Sequence, residues 1–410
     1  MKCVTDEIKF NNGKLKVMQV SDLQDTKRTC VDTLRFMDSA ISYVKPDLII
    51  MTGDQLDVVG MWGKGEKLSE NISHAIKGLF SVFEKHSVPY VLTFGNHDPE
   101  TGMPVSEQVK YYRELEHCIC FDNINDGRPD AGTFSVPVLS SDAQRTALNF
   151  YLFDTHNTKV RGGFEGANSE QLEWYLRTSE SLGKVPSLVF QHIPPDEIYE
   201  LFTQVKKGTK GAQPAFRERR GNYYILNKNM IKFCEAYGEA PSTLTAESKE
   251  FETMRQQGDV FGIYFGHDHY NSFVGNVRGI DLGYCPGAGY NTYGLKNRAV
   301  RVFEFDEENV RDYKTYIVDY ADCCKKSETA PIRNFLYCHS PSSTNLAKRF
   351  AAKCIAILLA VAAVFVLIGV LVSGTFVKMF LTSLAAGLCV YAVISLIFNS
   401  VLRKKLTGGK

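Results

Sequence analysis

The sequence predicts an α/β domain built on a largely parallel first sheet, followed by a hairpin of two membrane-spanning helices. From residue 1 to about 320, short apolar runs alternate with segments of helical periodicity, as strand–helix–strand units do. Residues 354–372 (CIAILLAVAAVFVLIGVLV) and 379–398 (MFLTSLAAGLCVYAVISLIF) are uncharged and separated only by SGTFVK. As helices, both are long enough to cross a hydrocarbon core of about 30 Å. The composition is that of a globular chain: 410 residues, 44% hydrophobic, 23% charged, formal charge +1. That balance gives no reason to expect nucleic-acid binding.

The expected strands are KLKVMQV (14–20), DLIIMT (47–52), YVLTF (90–94), LNFYLF (148–153), SLVFQ (187–191) and VFGIYF (260–265). SFVGNVRGIDLGYC (272–285) and RAVRVFEF (298–305) alternate more strongly and read as an antiparallel pair. Leu34, Met37, Ile41 and Val44 share one helical face, as do Val105, Val109, Tyr112 and Leu115. Asn168 is placed to cap a helix carrying Leu172, Tyr175 and Leu176. Residues 196–258 are basic and poorly periodic, and read as an insertion or lid on a domain of residues 1–321. Residues 322–350 read as a juxtamembrane linker, 351–402 as the helical pair and 403–410 as a basic tail.

Orientation follows from charge. Lys348, Arg349 and Lys353 precede the first apolar run and Arg403, Lys404 and Lys405 follow the second, whereas the connector carries only Lys378. The positive-inside rule then puts both tails, and residues 1 to about 345, on the cytoplasmic side. The N-terminus has no signal-like segment, and the 11 cysteines form no C-x-x-C pair, which agrees with a reducing compartment.

Five expected strands end in the same kind of residue. After VMQV comes SDLQD, after LIIMT comes GDQLD, and after VLTF comes GNHDPE. SLVFQ runs into HIPP and GIYF into GHDHYN. The carboxyl ends of strands in open α/β sheets form the ligand crevice. Imidazole, carboxylate and amide oxygen suit divalent cations such as Mn²⁺, Zn²⁺ or Fe²⁺, and burying such groups without a partner is costly. His156, in FDTHNT, also follows a strand and is a weaker candidate for the site.

This ordered set resembles the calcineurin-like metallophosphoesterase superfamily, over residues 14 to about 306. It is most similar to the purple-acid-phosphatase-like subgroup of plants and fungi, through QLEWY (171–175), FQHIP (190–194), GHDHYNSFVG (266–275) and GIDLGYCPGAGYNTYG (279–294). The resemblance implies a four-layer α/β/β/α sandwich and two divalent metal ions, with Mn²⁺ favoured. It implies that Asp54 bridges the metals, that Asp22, Gln24 and His269 complete one shell, and that Asn96, His192 and His267 complete the other. His97 would serve as proton donor or transition-state stabiliser, with Asp98 orienting it and Asp57 supporting the shell.

Two departures from the family pattern stand out. Gln24 occupies a position usually held by histidine, and Asp57 the position of the chromophoric tyrosine of true purple enzymes. Arg217, Arg219 and Arg220, with Tyr290 and Tyr293, are further candidates for substrate contact. The implied activity is phosphoester hydrolysis at a membrane-anchored, cytosol-facing domain, with a metal-bridging hydroxide attacking phosphorus in line. The alternatives are a phosphodiesterase or pyrophosphatase for nucleotides or lipid head groups, and a metal-bound scaffold without turnover. Phosphorylated protein, nucleotide or lipid would be the partner, beside the membrane itself.

Overall fold

The computed structural model describes residues 8–57, 64–121, 127–155, 164–244, 248–339, 344–371 and 374–406. The chain divides into two compact units, Met1–His339 and Ser340–Lys410.

The first unit holds two main sheets. One has five strands in the order β15 (Lys314–Asp319), β14 (Ala299–Asp306), β1 (Lys14–Val20), β2 (Leu48–Thr52) and β3 (Tyr90–Thr93). The other has seven, in the order β10 (Ile231–Phe233), β12 (Val274–Val277), β13 (Ile280–Tyr284), β11 (Val260–Phe265), β6 (Ser187–Gln191), β5 (Thr146–Phe153) and β4 (Phe134–Leu139). A small third sheet joins β7 (Phe202–Val205), β9 (Tyr223–Leu226) and β8 (Gln213–Pro214).

Burial explains the layering. Strand β2 is LIIMT and buried at every position, as a parallel strand covered on both faces must be. Strand β5 divides its side chains between two cores. Leu148, Phe150 and Leu152 join the cluster of β1, β2, α1 (Val31–Val44) and α2 (Glu66–His86). Tyr151 and Phe153 face a second cluster with Leu172 and Tyr175 of α4 (Ser169–Ser181) and Phe251 and Met254 of α5 (Glu250–Gln257). One core therefore lies between the sheets and under α1, α2 and α3 (Val105–Tyr112), and the other lies under α4 and α5. Asn168 does cap α4, in a capping box: its side chain accepts from Gln171 N–H, and Gln171 Oε1 accepts from Asn168 N–H.

Several expectations are corrected. The segments 272–285 and 298–305 do not pair with each other. The first is itself a hairpin, β12 against β13, turned at Arg278 and Gly279, whose φ values are 47° and 95°. The second, β14, runs antiparallel to β1 in the other sheet. Within 196–258, only residues 202–226 make the separate small sheet, because β10 pairs with β12 and α5 packs on the second core.

Nor is 322–350 a plain linker. It contains the last two residues of α6 (Tyr320–Cys323) and all of α7 (Pro331–Cys338). Asp32 fastens its start by accepting from Thr329 N–H and Oγ1–H and from Ala330 N–H. Asn334 donates to the Lys296 carbonyl and Arg333 to Asn291 Oδ1.

The second unit is a pair of packed helices, α8 (Thr344–Leu371) and α9 (Thr375–Leu406). Among the described residues, no helix is long and apolar enough to cross a membrane. The tail from 407 onward, and His156, lie outside the described residues.

Candidate metal centre

The motifs meet because of sheet direction. Strands β1, β2 and β3 are parallel neighbours in one sheet, and β6 and β11 are parallel neighbours in the other. Their carboxyl ends share one edge of the sandwich, so five loops from distant parts of the chain converge there. Four residues at that edge (Asp22, Gln24, Asp54 and His267) hold left-handed backbone with φ of 54°, 40°, 53° and 72°. Such conformations cost free energy in non-glycine residues and concentrate at functional sites.

His192 Nε2 is the hub. It lies 3.1 Å from Asn96 Oδ1, 3.2 Å from Asp54 Oδ2 and 3.3 Å from His267 Nδ1. His192 Nδ1 is 2.8 Å from the carbonyl of Thr52. A carbonyl only accepts, so Nδ1 carries the hydrogen and the lone pair of a neutral His192 sits on Nε2. The second focus is built the same way. His269 Nδ1 donates to the Tyr293 carbonyl at 2.7 Å, and its Nε2 lies 3.0 Å from Asp22 Oδ1.

Asp22 Oδ1 is buried, 3.0 Å from His269 Nε2, and takes no hydrogen bond from any other described group. Its other oxygen accepts from Ser21 Oγ–H and His267 N–H. Asp22, Asp54 and His192 each offer a ligand atom, and these three atoms lie within 4.8 Å of one another. An orphaned carboxylate oxygen among convergent imidazole lone pairs is a donor set for divalent cations. The residues present fit the metals that the motifs imply.

The electrostatics agree. Burial works against both carboxylates and imidazoles. Even so, His269 and His192 hold the Asp22 carboxyl below the usual range, and His192 and His97 hold Asp54 below it. Burial depresses His192, but Asp54 and Asp22 outweigh it and raise the imidazole to about 9. Without a cation, a proton on His192 serves as the positive charge those carboxylates require. His267 is pushed well below its ordinary value, first by burial and then by His192, so it remains a neutral donor.

Gln24 reaches this cluster. Its Nε2 donates to Asp54 Oδ2 at 3.1 Å and lies 3.4 Å from His269 Nε2. A half-turn of the amide would put Oε1 in the same place.

His97 lies at the rim with its side chain 40% exposed, and its Nε2 is 3.9 Å from Asp54 Oδ2. Asp98 does not orient its ring. Both Asp98 oxygens are taken by backbone N–H groups, from Gln55 and Leu56 on one and from Asp54 and Gly95 on the other. Asp98 therefore ties the Gly95 turn to the Asp54 loop, and burial pushes its carboxyl up to about 7. The tie needs close approach: a Cβ at Gly95 would stand 2.2 Å from Asp54 Oδ1. The group at His97 Nδ1 is Glu100, at 2.7 Å. Burial lowers His97, yet Asp54, Glu100 and Asp57 together raise it to about 10.

Of the residues proposed for substrate contact, Tyr290 is corrected: it is 1% exposed, in the core, against Tyr320 and Arg298. Tyr293 lies flat on His269, with ring centroids 4.1 Å apart. Arg219 is bound to Asp196 at 2.6 Å and stacked on Tyr199. Arg220 is exposed. Arg217 lies over the ring of Phe164, which meets His267 edge-on.

A sixth strand end, the glycine-rich loop that carries Tyr290 and Tyr293, reaches the same edge. After β13, Ala288 N–H donates to the Ser21 carbonyl and Gly289 N–H to that of Asp22. A Cβ at Gly289 would lie 1.9 Å from the Leu23 carbonyl oxygen. Arg298, 0% exposed, holds the loop through the carbonyls of Gly289, Thr292 and Leu295. The glycine run after GIDLGYC is its signal in the sequence.

A family model, Calcineurin-like phosphoesterase, matches residues 15–271, and the chain belongs to that family. It is 27% identical to "Probable inactive purple acid phosphatase 14" of Arabidopsis thaliana, over 73% of this chain and 77% of that protein. It is 25% identical to "Probable inactive purple acid phosphatase 29" of the same plant, over 74% and 79%. Among solved structures it is similar to a dimetal phosphatase from Danio rerio, with a TM-score of 0.44 and 13% identity over 75% of this chain and 99% of that one.

Proposed function

We propose that this chain is a phosphoric ester hydrolase working with two divalent cations, Mn²⁺ before Zn²⁺ or Fe. The arrangement around His192 Nε2 carries the reading: three donor atoms from three loops stand 3.1–3.3 Å away, and a carbonyl fixes the tautomer. Asp54 would be shared between the two cations, with Asn96, His192 and His267 holding one and Asp22, His269 and Gln24 the other. When bound, such cations neutralise phosphoryl oxygens and acidify water.

The chain's own groups supply the rest. The His192 and His269 tautomers are held by the carbonyls of Thr52 and Tyr293. Asp54 and Glu100 keep His97 protonated at neutral pH, so it can give a proton to the departing alkoxide as the ester P–O bond breaks. The neutral Gln24 favours Mn²⁺.

A second reading, a metal-bound scaffold without turnover, is favoured by the word inactive in the relatives' names. Metal analysis of the purified chain, with aryl phosphate monoester and diester assayed with and without Mn²⁺, separates the readings. Metal with turnover supports the hydrolase, metal without turnover the scaffold, and no metal removes both.

The anchor and its orientation belong to the same reading, supported by the uncharged runs and the basic residues outside them. A reporter fused after Lys410 should be cytoplasmic, and an exoplasmic one would reverse the orientation.

A further inference from the structure

Beside the metal centre lies a cavity of about 280 Å³, lined by Arg217, Arg219, Asp196, Tyr199, Thr243 and Leu244 among others. Most of its polar groups are already satisfied. Asp196 takes Arg219 on one oxygen and Thr243 Oγ–H on the other, and Tyr199 Oη donates to the Pro241 carbonyl.

Arg217 differs. Among the described residues it has no ion pair. Its backbone is left-handed, with φ 45°. Its guanidinium lies 4.1 Å over the ring of Phe164, and that ring stands 4.5 Å from His267, edge to face. Phe164 packs with Ile193, the residue after His192, and with Leu244 of the cavity wall. A guanidinium flat on an aromatic face keeps its N–H edges free for an oxyanion. Two ring contacts thus set a cation at a fixed offset from the second metal's ligands, at the mouth of a space the size of a small organic group.

We propose that Arg217 binds a second anionic group on the leaving portion of the substrate, so that the preferred substrates are phosphate esters bearing a further phosphate or carboxylate. This rests on the reading of the metal centre as the place where the scissile phosphate binds.

The test uses non-hydrolysable probes and needs no turnover. Binding of propylphosphonate, 3-phosphonopropionate and propane-1,3-bisphosphonate to the full chain is measured by calorimetry, with and without Mn²⁺. At least one doubly anionic probe should bind on the order of tenfold tighter than propylphosphonate, as charge-assisted bidentate contacts do. Which probe gains tells carboxylate from phosphate. Arg217→Ala should erase that advantage and leave propylphosphonate within about twofold, Arg217→Lys should keep part of it, and Arg220→Ala should keep all.

The inference is overturned if wild type shows no advantage or binds no probe, or if Arg217→Ala weakens all three alike. Loss of Mn²⁺ dependence for propylphosphonate would instead sink the metal-centre reading, and the Arg217 comparison would still be read.

Discussion

Asp22 Oδ1 and His269 Nε2 lie 3.0 Å apart, both buried, and the oxygen takes no hydrogen bond from any other described group. The only hydrogen of a neutral His269 ring is given to the Tyr293 carbonyl on the far side. With His269 neutral, two lone pairs face each other there, which is costly in a low-dielectric interior unless a cation, or a proton shared between them, lies in the gap.

That cost makes stability a readout of metal. Mn²⁺ should raise the thermal midpoint of wild type, by roughly 4 kcal/mol of stabilisation at a thousandfold excess over Kd. Asp22→Asn removes the repulsion and a ligand charge, so its metal-free form should melt no lower than wild type while its response to Mn²⁺ shrinks. Scanning calorimetry decides it. An undiminished response would show that Asp22 is not a ligand.

Gln24 is one of the two departures from the family pattern, and its amide nitrogen faces Asp54 and His269. Gln24→His should tighten the first site by about tenfold or more, because a neutral imidazole binds these ions better than an amide. Competition against a chelating dye measures it. Unchanged affinity would mean that this position does not reach the metal.

His97→Ala should cost about 10²–10⁴ in kcat/KM on an alkyl phosphate and much less on a nitrophenyl phosphate, whose leaving group needs no proton. Glu100→Gln should lower the upper limb of the pH–rate profile, since Glu100 helps hold His97 up near 10. Equal losses on both substrates would remove the proton-donor role.

Glu250 is buried, 1% exposed, and accepts from Gln191 Nε2–H and Ala167 N–H. Burial raises its carboxyl to about 7 from an ordinary 4.5. The native state therefore binds a proton that the unfolded chain has released. Its contribution is full below about pH 4.5 and is lost as pH rises through 7, roughly 3 kcal/mol in all. Asp98 and Asp268, also raised to about 7 by burial, act in the same window. Denaturant titrations from pH 5 to pH 8 should show falling stability, with a shallower fall in Glu250→Gln. An identical slope would count against this assignment.

Arg298 is buried and satisfies three carbonyls of the loop that carries Tyr293. Arg298→Met leaves those acceptors unpaired, at about 1–3 kcal/mol each before relaxation. It should lower the melting midpoint and also weaken the metal at His269, since Tyr293 sets that ring's tautomer. Rescue of metal affinity without rescue of stability would separate the two effects.

Much of the centre is legible in one dimension because strand ends are local events. An apolar run closed by Asp, Asn or His, as at Asp54, Asn96 and His267, shows where a strand stops and what it offers to a crevice. The helix cap at Asn168 is readable for the same reason. Partners that come from elsewhere are not. Nothing near Asp98 says that its oxygens belong to the backbone of residues 54–56. Glu100 replaces it at His97 because a short helical turn brings position i+3 round to the ring. The sequence 272–285 alternates like any antiparallel strand, and only the turn at Gly279 shows it to be two.

The sequence by itself determined the donor types at the strand ends, the strands that carry them and the family to which the chain belongs, because residue type and periodicity are properties of a segment. The tertiary structure decided which nitrogen of each histidine faces the centre, that Tyr290 is core and Arg219 is spent on Asp196, and that residues 322–339 are strapped to the domain. These outcomes depend on distances between segments far apart in the chain, and those distances exist only once the two sheets have packed face to face.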